Sequence, residues 1–385
     1  MAAREHLLKI GVSGIRGVVG EFLTPMLACG FAQAFGTYVG GAGRVILGRD
    51  TRSSGEMLEH AVACGLLSTG CGVVRVGVLP TPTIQMFAAA SRARGGIAIT
   101  ASHNPPEYNA LKLFNAEGLF FNNYERGELI DLYHQSDFRR ATNEETGRVT
   151  RETEAPMRLH IERVLRHVDR DAIRARRFRV ALDGVNGAGS VMSVRFLERE
   201  LNCELHAIAV DPSRPFPREA EPRPDTLGEL AELVRRSGAQ IGFAQDPDGD
   251  RLAVADETGA VLDNDDVLAL VVEAALERLP GDVVVNLTTS AVIDDVARRQ
   301  GRREHRRFVP RRPEVLERAQ PSDVHLGVDS FDQRAVAQPQ PQDSFRRRDV
   351  EVGVAPEAHR ARRTQRAQSS GTMPPTPNRV KLKRR

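Results

Sequence analysis

Between residues 43 and 114 short aliphatic runs alternate with amphipathic stretches of helical length. RVILG at 44–48, VVRVGVL at 73–79 and GIAIT at 96–100 read as buried strands, whereas residues 54–68 read as a helix. This rhythm predicts a doubly wound α/β domain. Residues 137–154 are polar and charged with little apolar periodicity, which suits a domain boundary. A second unit then opens with FRVALDG at 178–184, a strand entering a glycine-rich turn. NGAGS leads on into a helix, and QIGFA at 240–244 is another strand. A third unit starts with a helix after Asn264 and the strand DVVVNL at 282–287. The fold class expected is therefore α/β, built from consecutive domains with mixed sheets. Beyond residue 300 the pattern stops, and the Arg-, Pro- and Gln-rich residues 301–385 read as a disordered tail.

A length of 385 residues supports several domains, and 41% hydrophobic residues supply their cores. The net charge of +3 is unevenly spread: residues 301–385 hold 20 Lys or Arg against 10 Asp or Glu, leaving 34 against 41 in residues 1–300. The body is mildly acidic, so a nucleic-acid binder has only the tail arginines in its favour and no aromatic platform. No apolar run suits a signal peptide or a membrane span, and the expected location is the cytoplasm. Cys29, Cys64, Cys71 and Cys203 lack CxxC spacing and read as free thiols.

Four segments carry candidate chemistry. In ITASHNPPEYNALKLF at 99–114 a buried strand runs into a loop with Ser102, His103 and Asn104 ahead of two prolines. Strand ends of this kind form the binding crevice of open α/β sheets, so Ser102 is either a nucleophile or an ordinary loop serine. In AQDPDGDRLAV at 244–254, Asp246, Asp248 and Asp250 stand at alternate positions. Their mutual repulsion is relieved by a hard divalent cation, unless the turn is simply a solvated acidic one. An EF-hand is disfavoured, since Arg251 takes the sixth position, where glycine makes the sharp turn. KIGVSGIRGVVGEFLTP sets Ser13 and Arg16 in a glycine-flanked turn that is either a phosphate site or a plain turn before a helix near Thr24. GRDTRSSG at 48–55 has the same two readings, the plain one being a helix start capped by Ser53 or Ser54.

TASHNP at 100–105 and DPDGDR at 246–251, in that order and separation, resemble the active-site serine loop and the magnesium loop of the α-D-phosphohexomutases. This superfamily includes phosphoglucosamine mutase and the phosphomannomutase/phosphoglucomutases, and the likeness runs from about residue 9 to residue 290. It implies a phosphoserine-loop domain at 1–150, a magnesium-loop domain at 151–257 and a partial third domain at 258–300, with residues 301–385 atypical and the fourth domain missing. The resemblance also implies that Ser102 carries a phosphoryl group and, with Asp246, Asp248 and Asp250, ligates one Mg²⁺. Lys112 would be a general acid/base with a proton loosened by nearby cations or burial, and His103 would support the serine. Arg16, Asn104 and Arg251 would bind substrate and its phosphate. The implied reaction interconverts hexose 6-phosphate and hexose 1-phosphate through a 1,6-bisphosphate, which also serves as activator, with glucosamine favoured over mannose or glucose. The family's sugar loop of the GEESGH or GEGNGG kind has no counterpart in HLGVDSFDQ at 325–333, and its RPSGTEP phosphate loop is only partly echoed by SSGTMPP at 369–375. The other expectation is thus a truncated mutase remnant that binds Mg²⁺ and turns over no sugar.

Overall fold

Strands that are apolar along their whole length must be covered on both faces, and the first sheet is built to that rule. The computed structural model describes residues 9–11, 14–279, 281–306 and 324–325. Its first sheet takes β1 (Lys9–Gly11), β2 (Gly14–Val18), β3 (Arg44–Arg49), β4 (Gly72–Val78), β5 (Gly95–Ile99), β6 (Tyr108–Phe114) and β7 (Val149–Arg151) in the order β1-β2-β6-β5-β3-β4-β7. The run β5-β3-β4-β7 is parallel, while β6 is antiparallel to both β5 and β2. On one face pack α1 (Pro25–Tyr38), α2 (Gly55–Ser68) and α4 (Asn123–Gln135), around Phe31, Phe35, Leu58 and Leu66. Helix α1 starts where expected, with Thr24 Oγ accepting from Leu27 N–H. The opposite face is covered by α3 (Thr81–Ala90) and α5 (Glu154–Leu165) through Ile84, Ala88, Met157 and Ile161.

The boundary drawn at residue 150 therefore falls inside the packing of the first sheet. Val149–Arg151 is its exposed edge strand, too short and too polar to show as a strand in the sequence, and α5 shares its core.

The second sheet, ordered β11-β10-β8-β9, contains β8 (Arg179–Asp183), β9 (Glu204–Ile208), β10 (Ile241–Gln245) and the antiparallel β11 (Leu252–Ala255). Small residues Ala181, Ala244, Ala253 and Ala255 let α8 (Gly228–Ser237) lie close on one face. Leu230, Leu233 and Val234, at i, i+3 and i+4, form its buried stripe. The other face meets α6 (Arg170–Arg176) and α7 (Ser190–Arg195), which runs on into a π-helical turn at Phe196–Glu200.

In the third unit α9 (Asn264–Arg278) and α10 (Val292–Arg299) pack on a parallel sheet ordered β13-β12-β14, formed by Glu304–Arg306, Val283–Val285 and Val324–His325. This sheet continues past residue 300, where the sequence changes texture. The rest of the expected tail, with most of HLGVDSFDQ and all of SSGTMPP, lies outside the described residues.

Candidate active site

The carboxyl ends of the parallel strands in the first two sheets converge. Ser102 follows β5, the aspartate loop follows β10, a Pro-Thr pair follows β4, and the glycine-rich turn of residues 184–189 follows β8.

Ser102 is 7% exposed and takes a left-handed backbone conformation, φ +51°, which an L-residue adopts only when its surroundings hold it there. Its amide donates to Thr100 Oγ1 at 2.9 Å, and its own hydroxyl donates to Asp246 Oδ2 at 2.7 Å. The His103 ring follows, with Nδ1 3.3 Å from the same hydroxyl. Burial and then the nearby Arg251 charge lower the His103 pKa, which keeps the ring neutral at pH 7.

The three aspartates meet as their spacing suggested, with one carboxylate oxygen from each lying within 4.8 Å of the others. Asp246 Oδ1 accepts from the amides of Asp250 and Arg251, which closes the loop on itself. Asp248 Oδ2 accepts from Lys112 Nζ at 2.7 Å and from Thr81 Oγ1 at 2.8 Å, and Lys112 Nζ also reaches Asp250 Oδ2 at 3.2 Å. Asp248 Oδ1 and Asp250 Oδ1 are buried without a hydrogen-bond partner. Two orphaned carboxylate oxygens are costly unless a cation meets them, so this donor set fits a hard, oxygen-seeking metal. Burial and the other two carboxylates push the Asp246 carboxyl well up. Burial pushes Asp248 the same way, but Lys112 and its hydrogen-bonding neighbours overcome it and hold Asp248 at about 2.

Lys112 departs from expectation. Burial alone would lower its pKa, yet Asp248 and Asp250 outweigh that and raise it above the ordinary lysine value, so the ammonium is held protonated. Arg16 lies opposite Ala110 in the β2–β6 ladder and so shares the sheet face of Lys112. Arg251 Nη1 bonds Glu221 Oε1 at 2.6 Å. Asn104 turns into its own loop, its side-chain amide donating to Ala101 O at 2.6 Å. Ser102, His103, Lys112 and the three aspartates are thus brought together, while Asn104 is spent on the turn. Ser13 lies outside the described residues.

Two supports carried no legible signal. Thr81, at the start of α3, clamps the aspartate loop from the first domain by its hydroxyl and by its amide, which donates to Asp248 O. Gly187 presses from the second domain, where a Cβ would come within 2.8 Å of Pro247 backbone atoms. In GRDTRSSG, Arg52 is buried, and Ser54 stands at the start of α2 without capping it by its side chain.

A hollow of about 680 Å³ on the second sheet is lined largely by Phe178, Val180, Leu182, Phe196, Ile241 and Phe243, and only its edge reaches Asp250 and Arg251 of the aspartate loop. Such an apolar lining suits neither a sugar nor a phosphate, which leaves the aspartate cleft as the candidate site.

Models of the phosphoglucomutase/phosphomannomutase α/β/α domains I and II match residues 7–140 and 158–259. A phosphoglucomutase/phosphomannomutase of Thermococcus kodakarensis is 41% identical over 297 residues, covering 76% of this chain and 64% of the relative. A probable phosphoglucosamine mutase of Methanopyrus kandleri is 41% identical over 295 residues, covering 76% and 63%. The chain thus spans less than two thirds of the length of these relatives. The crystal structure of a putative phosphomannomutase from Thermus thermophilus superposes with a TM-score of 0.69 at 26% identity, covering 78% of this chain and 69% of that one. With the serine loop and the aspartate loop each inside a matched domain, and facing each other at hydrogen-bonding distance, the chain belongs to the α-D-phosphohexomutase superfamily.

Proposed function

We propose that the chain is an intramolecular phosphotransferase that interconverts hexose 6-phosphate and hexose 1-phosphate through phospho-Ser102 and a 1,6-bisphosphate. The observation that carries this reading is the 2.7 Å bond from Ser102 Oγ to Asp246, beside the unpartnered oxygens of Asp248 and Asp250. In the reaction, a phosphoryl group on Ser102 Oγ passes to the free hydroxyl of the sugar phosphate. The Oγ–P bond breaks as the bond from sugar oxygen to phosphorus forms, and the second phosphate later returns to Ser102 in the reverse sense.

Asp246, Asp248 and Asp250 would hold Mg²⁺, which when bound neutralises phosphoryl charge and makes the phosphorus more electrophilic. Lys112, held protonated, supplies a proton to the departing serine oxygen and recovers one from the sugar hydroxyl that takes the phosphoryl group, so that its charge is restored over the step. Neutral His103 accepts a hydrogen bond or gives one without adding charge. Arg16 and Arg251 offer guanidinium groups to the substrate phosphate. Glucosamine 6-phosphate is the favoured substrate, with mannose and glucose phosphates next, because the relatives over the matched span carry those names. Hexose 1,6-bisphosphate is the priming activator.

The test is intact mass and phosphopeptide mapping after exposure to glucose 1,6-bisphosphate and Mg²⁺, followed by coupled assays with the three sugar phosphates. Phosphate on Ser102 and turnover of one sugar are expected, both lost in Ser102→Ala. Phosphate on Ser102 without turnover would support the alternative, a metal-binding remnant that turns over no sugar. A wild-type chain that takes up no phosphate would overturn the phosphoserine reading.

A further inference from the structure

We infer that Arg52 is the positioning residue of the serine loop, a role that rests on the phosphoserine reading of Ser102. A guanidinium has five N–H donors, and all five are used inside the protein. Nε donates to Asp50 Oδ2 at 3.1 Å. Nη2 donates to Ser102 O and Asn104 O, both at 2.6 Å, and Nη1 donates to Pro105 O at 2.7 Å and Tyr108 O at 3.0 Å. Three carbonyls of the irregular loop and one at the start of β6 therefore converge on one buried side chain, 3% exposed.

Nothing is left over for a ligand, which is what separates Arg52 from a phosphate-binding arginine. Its anchor, Asp50, also accepts from Thr100 Oγ1 at 2.7 Å, and Thr100 Oγ1 in turn accepts the Ser102 amide. Ser102 is thus fixed at its amide through Thr100 and at its carbonyl by Arg52, and these two restraints hold its left-handed backbone. The second domain closes this arrangement, with the Phe216 ring 5.3 Å from the guanidinium carbon. A lysine, with three donors from one atom, cannot reproduce the fork.

The test compares wild type, Arg52→Lys, Arg52→Ala and Asp50→Asn by hydrogen exchange of the peptide spanning residues 100–108 and by the rate of Ser102 phosphorylation from glucose 1,6-bisphosphate. In Arg52→Lys, exchange in that peptide rises about tenfold while peptides of the second domain stay unchanged. Phosphorylation slows about a hundredfold, as expected for a nucleophile displaced by roughly 1 Å. Millimolar guanidinium restores part of the rate to Arg52→Ala, a rescue that a merely structural role would not show. Asp50→Asn leaves Arg52 in place with a weaker anchor and gives a smaller rise in the same peptide, which decides the matter if Arg52→Lys does not fold. Unchanged exchange in either folded variant overturns the inference. Failure of wild type to be phosphorylated overturns the phosphoserine reading instead, and the exchange comparison still judges Arg52.

Discussion

At the scale of single residues, the site is a balance of three carboxylates against one ammonium. Lys112 Nζ bonds Oδ2 of both Asp248 and Asp250, so another cation drawn to their unpartnered Oδ1 atoms must sit close to its charge. Lys112→Met is expected to tighten Mg²⁺ binding at least about tenfold in calorimetric titration, because a competitor at contact distance is worth more than 1.4 kcal/mol at intermediate dielectric. The proposed sugar turnover should fall in the same variant. Unchanged or weaker Mg²⁺ affinity would show that the ammonium does not contest the site. Thr81→Val removes the hydroxyl that orients Asp248, and the affinity should drop about tenfold. The aspartate triplet was legible from its alternate spacing between two apolar strands, whereas Ser102 stood out only through the resemblance of TASHNP to a family loop. Thr81 and Arg52 were not, because nothing local distinguishes a threonine that caps a helix from one that clamps a carboxylate, or an outward arginine from an inward one.

At the scale of elements, two contacts between neighbours set testable limits. Helices α1 and α2 cross at Gly65, where a Cβ would lie 2.4 Å from Cys29 O and 2.8 Å from the Ala32 Cβ. Gly65→Ala should therefore cost about 1–3 kcal/mol, read as a lower urea midpoint at unchanged slope. Between α3 and α5, Thr83 Oγ1 lies 2.7 Å from His160 Nδ1, and burial followed by the Arg163 charge lowers the imidazole to about 4. The folded protein thus holds the neutral ring, whereas the unfolded chain protonates it near its ordinary value of 6.5. Stability present above pH 6.5 is lost as the pH falls toward 4, by roughly 2 kcal/mol. Asp246, whose pKa is raised, works in the opposite sense, so the measurement is the difference between wild type and His160→Gln. The variant should show the flatter decline between pH 7 and pH 4.5, and equal declines would mean that His160 carries no linkage. Strands such as RVILG and GIAIT were readable because burial on both faces leaves a continuous apolar run. β7 was not, because an edge strand of three exposed residues has no such pattern.

At the scale of the whole molecule, the site belongs to neither of the first two domains alone. Its three carboxylates sit on the second domain, and the serine and lysine that meet them sit on the first. Mg²⁺ at one hundred times its Kd should raise unfolding stability by about 2.7 kcal/mol relative to EDTA. Asp248→Asn should erase most of that gain. A melting curve indifferent to Mg²⁺ in the wild type would speak against metal binding at these residues. The bonds that join the two domains here link positions 144, 136 and 167 residues apart. The ties on Ser102 from Thr100 and Arg52, in contrast, all lie within residues 50–108. Because domains fold as units while the chain is being made, N-terminal first, a ribosome-bound chain can arrange its serine loop well before Asp246 has been synthesised. The serine loop is therefore shaped early and met by its carboxylates late, and on the phosphoserine reading a nascent chain arrested before the aspartate loop emerges should carry an ordered serine that no phosphate donor can charge.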